Sequence, residues 1–404
     1  MAPSPPLRHR LQEVARLFLR LGATAFGGPA AHLAIMEDEV VARRKWLSRE
    51  EFMDLVGAAN LIPGPNSTEL AIHLGYRHAG PWGLVVAGLG FILPSTLLVV
   101  LLGWLYQRWG ALPDAAAALS GIKVAMLLIV IQALGRLTRT ALRTRSLAVL
   151  AAGVALGSLA GLHEVLVLLA AGVWQVLTYR HLPATKPDGA SPGSPLMPGW
   201  DSGATLAATT GTAAAAAAAA VTVAVPFSLT GLFWFFLKVG SVLFGSGYVL
   251  LAFLRADLVE RWGWITEAQL LDAIAVGQIT PGPLLSTATF IGYLLAGWPG
   301  AAVATVGIFL PAFVFVAVSS PWVPRLRQSK PTAAFLDGVN AASWSLMALV
   351  TVQLADAALV DLPRILLAIG VALGLFRWRV HSLWLMLGSA LAGILMALIE
   401  GSAG

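Results

Sequence analysis

The sequence contains no cysteine, and only 11% of its 404 residues are charged. Without cysteine the chain has no disulfides, no thiolate metal ligands and no thiol redox chemistry. Its seven histidines show neither an HExxH pattern nor paired-histidine spacing, so we predict no metal and no cofactor. A soluble domain carries roughly 25% charged residues. With less than half of that, the chain is predicted to be a membrane protein.

Long uncharged stretches account for the low charge content. Residues 82–107, 202–237 and 273–324 contain no charged side chain. A membrane-spanning helix needs about 20 apolar residues, and we find thirteen apolar runs along the chain. These runs are continuous in Leu, Ala, Val and Gly rather than alternating, which excludes a porin-like barrel. The predicted fold class is an all-α polytopic membrane protein with up to 13 membrane segments.

The net charge of +6 is spread over short connections between apolar runs. A nucleic-acid-binding protein would gather such charge in one domain, so we predict the lipid bilayer as a partner and no nucleic acid. Basic connections of membrane proteins lie preferentially in the cytoplasm. The connection 136–145 holds four arginines and the N-terminus is also basic, so both are expected to be cytoplasmic.

The two halves of the chain repeat each other at an offset of 218 residues. Phe18-Leu-Arg-Leu-Gly22 matches Phe236-Leu-Lys-Val-Gly240, and Pro63-Gly64-Pro65 matches Pro281-Gly282-Pro283. Each half also has a capping box before the Pro-Gly-Pro motif, Ser48 with Glu51 and Thr266 with Gln269. Such self-similarity indicates duplication. The predicted division is a first repeat at 1–180, a linker with an Ala-rich segment at 181–226, and a second repeat at 227–404.

The distribution of Lys and Arg favours inverted repeats. The connection at 325–330 holds three basic residues, and it is cytoplasmic only if the second repeat begins on the outside. One additional crossing is then required, and the run 204–225 can supply it. The alternative is that this Ala-rich run is a cytoplasmic helix and that the repeats are parallel. Each repeat also contains two interrupted runs, which either span or are re-entrant, and the count of basic residues favours re-entrant.

Glycine and proline interrupt the apolar runs at matching positions of the two repeats. Irregular backbone at membrane depth is tolerated where it is buried or lines a cavity, and paired breaks in repeated halves indicate a midplane substrate site. Free N–H groups where a helix restarts suit an anion. The alternative is that these residues serve only close packing. The candidate residues are Gly27, Gly28, Pro29, Pro63, Gly64, Pro65, Gly245, Ser246, Gly247, Pro281, Gly282 and Pro283, with the side-chain donors Asn66, Ser67, Thr68 and Ser286.

Isolated charges within apolar runs add to this hypothesis. Arg20, Lys123 and Lys238 each lie in such a run, and buried cations of this kind usually mark a pathway or an ion pair. Together they predict an anionic ligand. Glu69 is the one acid in its run, and His73 follows one turn later on the same helix face. These two residues could couple transport to protons, or Glu69 could form a structural pair with Lys123 or Arg20.

The combination of these motifs resembles a known family. Phe26-Gly27-Gly28-Pro29, Arg43-Arg-Lys-Trp-Leu-Ser48 and Pro63-Gly-Pro65 are similar to the bacterial chromate ion transporter family in its long, two-domain form. The resemblance covers residues 14–356. It implies a multi-pass protein of the bacterial inner membrane that moves chromate outward, with sulfate as a related dianion. Ser246-Gly247 departs from the family's Gly-Pro.

Two other functions remain as alternatives. One is uptake of sulfate or another anion together with protons through Glu69. The other is a membrane-embedded enzyme, but no GxSxG elbow, paired aspartates, cysteine or metal motif supports it, so we predict that the protein is not an enzyme. The sequence does not define the number of subunits, and a homodimer is one possibility.

Overall fold

The computed structural model describes residues 6–26, 28–110, 112–179, 226–244, 249–320 and 330–402. Within these ranges every regular element is helical and no β-strand occurs, which confirms the predicted all-α class. The first repeat contributes α1 Leu7–Thr24, α2 Gly28–Glu37, α3 Arg49–Ala59, α4 Asn66–Trp109, α5 Pro113–Ala141, α6 Arg145–Leu159 and α7 Glu164–Tyr179. A short π-helix, Asp38–Arg43, extends α2.

The second repeat contains the corresponding elements in the same order. They are α8 Leu229–Val242, α9 Leu250–Phe253 with the π-helix Leu254–Arg261, α10 Glu267–Ile279, α11 Thr287–Ser319 after a 3-10 turn Leu284–Ser286, α12 Lys330–Ala358, α13 Leu362–Ala372 with the π-helix Leu373–Arg377, and α14 Ser382–Ser402. Five helices of the described residues are long and apolar enough to cross a membrane, namely α4, α5, α11, α12 and α14.

The predicted duplication is visible in the backbone. Both capping boxes form as expected. The long helices α4 and α11 each break once, at Ala79–Gly80 and Ala296–Gly297. The two break glycines have φ values of +68° and +60°, a left-handed conformation that glycine adopts without a steric cost. The two repeats therefore break their long helices at equivalent glycines.

Contacts between the two long helices show that the repeats are inverted. The end of α4 lies at the break of α11, because Gln107 Nε2 donates to the carbonyl oxygens of Tyr293 and Leu294 at 3.4 and 3.3 Å. The end of α11 lies beside the first segment of α4, where Ser320 Oγ is 3.3 Å from His73 Nδ1. The two helices are thus antiparallel. We call the side where α1 begins the α1 face and the side where α8 begins the α8 face.

Both interrupted runs of each repeat are re-entrant. Near the α1 face, Arg10 of α1 donates to the carbonyl oxygen of His78 at 3.0 Å, and Trp46 stacks on the His78 ring at 3.8 Å. The start of α1, the segment after α2 and the break of α4 therefore lie together. The chain turns back twice before α4 crosses. In the second repeat, Phe227 before α8 packs on Trp264 after the π-helix in the same way.

The repeats exchange their last helices. α14 of the second repeat packs on α5 of the first, and α7 of the first packs on α12 of the second. Glycine permits both approaches, since a Cβ on Gly121 would lie 1.9 Å from the Ser389 carbonyl oxygen and one on Gly338 would lie 2.3 Å from that of Ala171. The two repeats form one interlocked body.

The predicted linker and additional crossing at 204–225 lie outside the described residues, so the division into 1–180, 181–226 and 227–404 stays a prediction. Glu164 at the start of α7 lies 4.0 Å from Arg261 near the α8 face, so α7 begins on that face and ends on the other. Because α8 begins at the α8 face, the two helices do not continue from the same side.

The close approach of α5 and α14 gives a first test. We expect Gly121→Ala to lower stability by about 1 to 3 kcal/mol, because the new methyl group meets backbone that has little room to move. Gly135→Ala on the same helix is the control, since a Cβ there meets no atom within 4 Å. Thermal unfolding of the purified protein in lipid nanodiscs measures both. Equal stability of the two variants would contradict the packing described here.

Candidate functional site

Each Pro-Gly-Pro loop bonds to the end of the first helix of the other repeat, and we call the region of these two contacts the crossing. The Gly64 amide donates to the carbonyl oxygen of Leu243 at 2.6 Å, and the Gly282 amide donates to that of Ala25 at 2.9 Å. The two bonds are repeat equivalents, because donors and acceptors are each separated by 218 positions. They satisfy backbone groups that no helix satisfies at this depth.

Glycine is required at both crossing points. Gly64 and Gly282 have φ values of +140° and +91°, a region that other residues rarely adopt. Neither position has room for a side chain, since a Cβ would lie 2.0 Å from Oε1 of Glu69 at the first and 2.9 Å from the Ser95 side chain at the second. The flanking prolines lack an N–H and so leave no additional donor unpaired.

Most of the predicted breaker residues come together at this crossing. Pro63, Pro65, Pro281 and Pro283 belong to the two loops. Asn66, Ser67 and Thr68 form the first turn of α4, and Ser286 ends the short turn before α11. Gly28 begins α2, and Pro29 follows in its first turn. Gly27, Gly245, Ser246 and Gly247 lie outside the described residues.

Several hydroxyl groups at the crossing are buried without a hydrogen-bond partner among the described residues. The side-chain oxygens of Thr68, Ser95 and Ser286 are of this kind, and each of the three residues is 0% exposed. Buried hydroxyl groups normally have a partner. Donors left free beside two helix starts are suited to a polar ligand. The sequence motifs include Thr68 and Ser286 but not Ser95, which approaches the loops only through folding.

A cleft of about 1240 Å³ leads from the α1 face toward the crossing. Its inner end includes Gly28, Asn66 and Gln278, and its outer part includes Arg136 and Arg139 of α5. The further basic lining residues are Arg379 and His381. No Asp or Glu lines the cleft among the described residues. The sequence suggested only a topological role for these arginines, since their approach to the helix breaks depends on tertiary packing.

The arginines of the cleft have no acidic partner in the described part of the chain. Arg136 donates to Gln132 at 2.9 Å, and neither Arg139 nor Arg379 forms an ion pair there. Uncompensated positive charge in a concave surface raises the local concentration of anions. The cleft is therefore electrostatically suited to attract an anion toward the loops.

The three predicted intramembrane cations do not line this cleft. Each forms an ion pair within the protein: Arg20 with Glu39 at 2.5 Å, Lys238 with Asp257 at 2.6 Å, and Lys123 with Asp272 at 2.8 Å. The first two pairs are repeat equivalents, since both members match at an offset of 218. That offset could have identified Glu39 and Asp257 from sequence. Their charge is balanced by the protein itself.

Lys123 belongs to a polar group near the α8 side of the crossing. Asp272 on α10 also accepts a hydrogen bond from the Tyr106 hydroxyl at 2.8 Å. Asp272 is 4% exposed. The group connects α4 and α5 of the first repeat to α10, the helix that leads into the Pro281 loop. It therefore links the scaffold of one repeat to the broken segment of the other.

Glu69 and His73 differ from these pairs. Glu69 is 0% exposed, and neither of its carboxylate oxygens has a hydrogen-bond partner among the described residues. His73 is 1% exposed and contacts Ser320 through Nδ1 only. The alternative in which Glu69 pairs with Lys123 or Arg20 is wrong, because both cations have other acidic partners.

One cluster near the α8 face has donor atoms close enough for a metal ion. His163, Glu164 and Asp257 each place one ligand atom within 4.8 Å of the others. Asp257, however, already binds both Lys238 and Arg261. Two cations beside the carboxylate oppose a third positive charge, so the geometry favours an ion-pair network over a metal site.

Comparison with known proteins agrees with this architecture. The family model described as chromate transporter matches residues 12–176 and again residues 230–394. The chain is 34% identical to the chromate transport protein of Pseudomonas aeruginosa, over 98% of this chain and 94% of the relative. It is 33% identical to that of Cupriavidus metallidurans, over 96% and 93%. A probable chromate transport protein of Synechococcus elongatus is 32% identical, over 89% and 88%. No solved structure matches the chain.

The buried group around Asp272 gives a second test. Lys123→Met or Asp272→Leu alone should lower stability by about 3 to 5 kcal/mol, because each leaves the partner's charge buried and unpaired. The double variant should be more stable than either single variant, since it removes both charges. Thermal unfolding in nanodiscs provides the measurement. If the two losses simply add, the ion pair does not exist in the protein.

Proposed function

The chain belongs to the chromate transporter family, and on that premise we propose that it exports chromate through the central cleft across a bacterial inner membrane. The single observation that carries this proposal is the cleft itself. It is lined by Arg136, Arg139 and Arg379, it contains no acid among the described residues, and it ends at the crossing loops. A tetrahedral dianion would be attracted along this route.

The proposed binding groups are those of the helix breaks. The starts of α2 and α4 present the positive ends of two helix dipoles, which suit an anion. Asn66, whose Nδ2 also donates to Asn60, lies at the inner end of the cleft. Thr68 and Ser286 have hydroxyl groups without a partner among the described residues. The matching breaker residues of both repeats complete the proposed site. Small polar donors of this kind can surround an oxyanion without a permanent charge.

A direct role in binding is not favoured for the three intramembrane cations. Arg20, Lys123 and Lys238 each have an acidic partner at hydrogen-bond distance, so a dianion would have to replace a carboxylate to reach them. We propose instead that these pairs hold the broken segments against the spanning helices. Substrate charge would then be compensated by the arginines of the cleft.

Direction follows from orientation. The α1 face has the basic residues of 136–145 and Arg379, and the positive-inside tendency assigns it to the cytoplasm. The cleft would then open inward. Each negative charge that leaves a cell gains about 2.3 kcal/mol per 100 mV of inside-negative potential, so export of a dianion is downhill. Rocking of one inverted repeat against the other would open the same site to the α8 face.

Transport into inside-out vesicles tests this function. We expect labelled chromate to accumulate under an imposed positive-inside potential, and excess sulfate to compete with it if any tetrahedral dianion is accepted. The double variant Arg136→Gln/Arg139→Gln should reduce the initial rate at low ionic strength by about tenfold or more, because steering by charge is lost. The difference should shrink at high salt.

Arg145→Gln is the matched control. Arg145 is exposed near the same face but does not line the cleft, so its replacement removes a positive charge from that face outside the cleft and should leave the rate nearly unchanged. Accumulation that is absent in vesicles containing folded protein would contradict chromate export. Equal rates for the double variant and the control would contradict the role of the cleft.

A further inference from the structure

Glu69 is a carboxyl group for which neither the fold nor the proposed path has yet given a role. It lies on α4, 0% exposed, and both oxygens lack a hydrogen-bond partner in the described part of the chain. A buried ionised carboxylate without a partner is strongly disfavoured. This conformation therefore accommodates the neutral acid. Ionisable residues within membrane segments usually have a function.

Charged groups on the helices packed against α4 are engaged elsewhere or exposed. Helices α1, α2, α3, α10 and α11 contact α4. α11 has no charged residue, Arg8 and Arg16 of α1 are exposed, and Arg10 of α1 donates to the carbonyl oxygen of His78. The others that could approach form ion pairs: Arg20 with Glu39, Glu13 with His78, Arg43 with Asp38, Arg49 with Glu37, Glu51 with Arg77, and Lys123 with Asp272.

Two further acids, Asp54 and Glu50, lie on α3. Asp54 has an interaction partner and Glu50 is exposed. The titratable groups on the same face of α4 are His73, one turn away and in contact with Ser320, and Tyr76, a further turn away. His32 of α2 is buried and its Nε2 lies 3.1 Å from the Ala25 carbonyl oxygen. No described charged side chain balances a negative charge on Glu69.

The carboxyl group lies directly beneath the crossing. Its Oε1 packs against Gly64 so closely that a Cβ there would lie 2.0 Å away, and the Gly64 amide is the group that bonds to Leu243 of the other repeat. Asn66, three residues before Glu69 and hence on the same helix face, lines the inner end of the cleft. A change of charge on Glu69 would act on both the loop and the anion.

We propose that Glu69 binds a proton together with the oxyanion, so that anion binding and protonation of this one carboxyl group favour each other. The proposal rests on the proposed function, since it assumes that the anion binds at the inner end of the cleft. An ionised Glu69 would repel a dianion across the loop, whereas the neutral acid would not. Reciprocal linkage follows: each ligand increases the affinity for the other by the same factor.

The sign of the pH dependence follows from this linkage. At low pH Glu69 is protonated and anion affinity is at its maximum. As pH rises, Glu69 of the anion-free protein ionises, and a proton must then be taken up each time the anion binds. In that pH range the affinity for the anion falls by about tenfold per pH unit. Sulfate is the appropriate probe, because it remains a dianion over this range whereas chromate itself takes up a proton near neutral pH.

Sulfate binding to the full-length protein in nanodiscs, measured by equilibrium binding of labelled sulfate between pH 5.5 and 9, tests the proposal. The wild type should lose affinity as pH rises. Glu69→Gln, which mimics the neutral acid, should bind at every pH with nearly the affinity that the wild type shows at low pH. Competition by chromate at one fixed pH shows that both anions use the same site.

Two control variants separate Glu69 from other titratable groups. Glu50→Gln removes an exposed acid of the same repeat and should keep the wild-type pH dependence. His73→Gln should also keep it, because the linkage is assigned to the carboxyl group. Thermal unfolding checks that each variant is folded, and Glu69→Asp, which can still ionise, should retain a pH dependence if Glu69→Gln is unstable.

Different failures point to different conclusions. Wild-type binding that does not change with pH, or an unchanged pH dependence in Glu69→Gln, would overturn the proton site but leave the transport function intact. Loss of the pH dependence in His73→Gln would assign the linkage to the histidine and overturn the proposal. Absence of both sulfate and chromate binding at every pH would overturn the proposed function and the proton site with it.

Discussion

Backbone polar groups at membrane depth must find partners inside the protein, and the rest of this structure depends on how the two Pro-Gly-Pro loops meet that constraint. Each loop leaves its own helix and bonds to the other repeat, Gly64 to Leu243 and Gly282 to Ala25. The loops are therefore stable only when both repeats are present and oppositely oriented. Duplication and inversion thus bring the breaker residues of both repeats to the same region of the protein.

Ion pairs within the protein neutralise the cations that lie in the predicted membrane segments. Arg20 with Glu39 and Lys238 with Asp257 are equivalent pairs on opposite sides of the crossing, and each joins the first re-entrant helix of its repeat to the segment that returns. These two cations are therefore neutralised by acids of the neighbouring re-entrant segment. The arginines of the cleft have no acidic partner among the described residues, and an anion from solution can reach them. Glu69 is the exception, a buried acid that no base among the described residues pairs with, and it is therefore available to bind a proton.

Much of the fold could be predicted from sequence, because it depends on local signals. Long uncharged stretches predicted the helices, and the offset of 218 residues predicted the repeats. The distribution of Lys and Arg favoured inverted repeats, and the antiparallel α4 and α11 confirm this. The breaker residues of the crossing were also identified. The partners of Arg20, Lys123 and Lys238 were not predicted, and the three charges were assigned to a ligand. The repeat offset could have identified Glu39 and Asp257, whereas the pair of Lys123 with Asp272 joins the two repeats and leaves little trace in one sequence. The packing of α7 and α14 on the other repeat could not be predicted either, because it depends on the complementary shapes of helix surfaces in the folded protein.

The inverted arrangement can be tested directly, because the chain has no native cysteine. Glu50 and Ala268 are repeat counterparts at the offset of 218, and both are exposed. We would introduce Glu50→Cys and Ala268→Cys separately and label intact cells with a membrane-impermeant thiol reagent. The account predicts that the cysteine at 268 reacts from outside and that the cysteine at 50 reacts only after the membrane is opened. Labelling of both positions from the same side would contradict it.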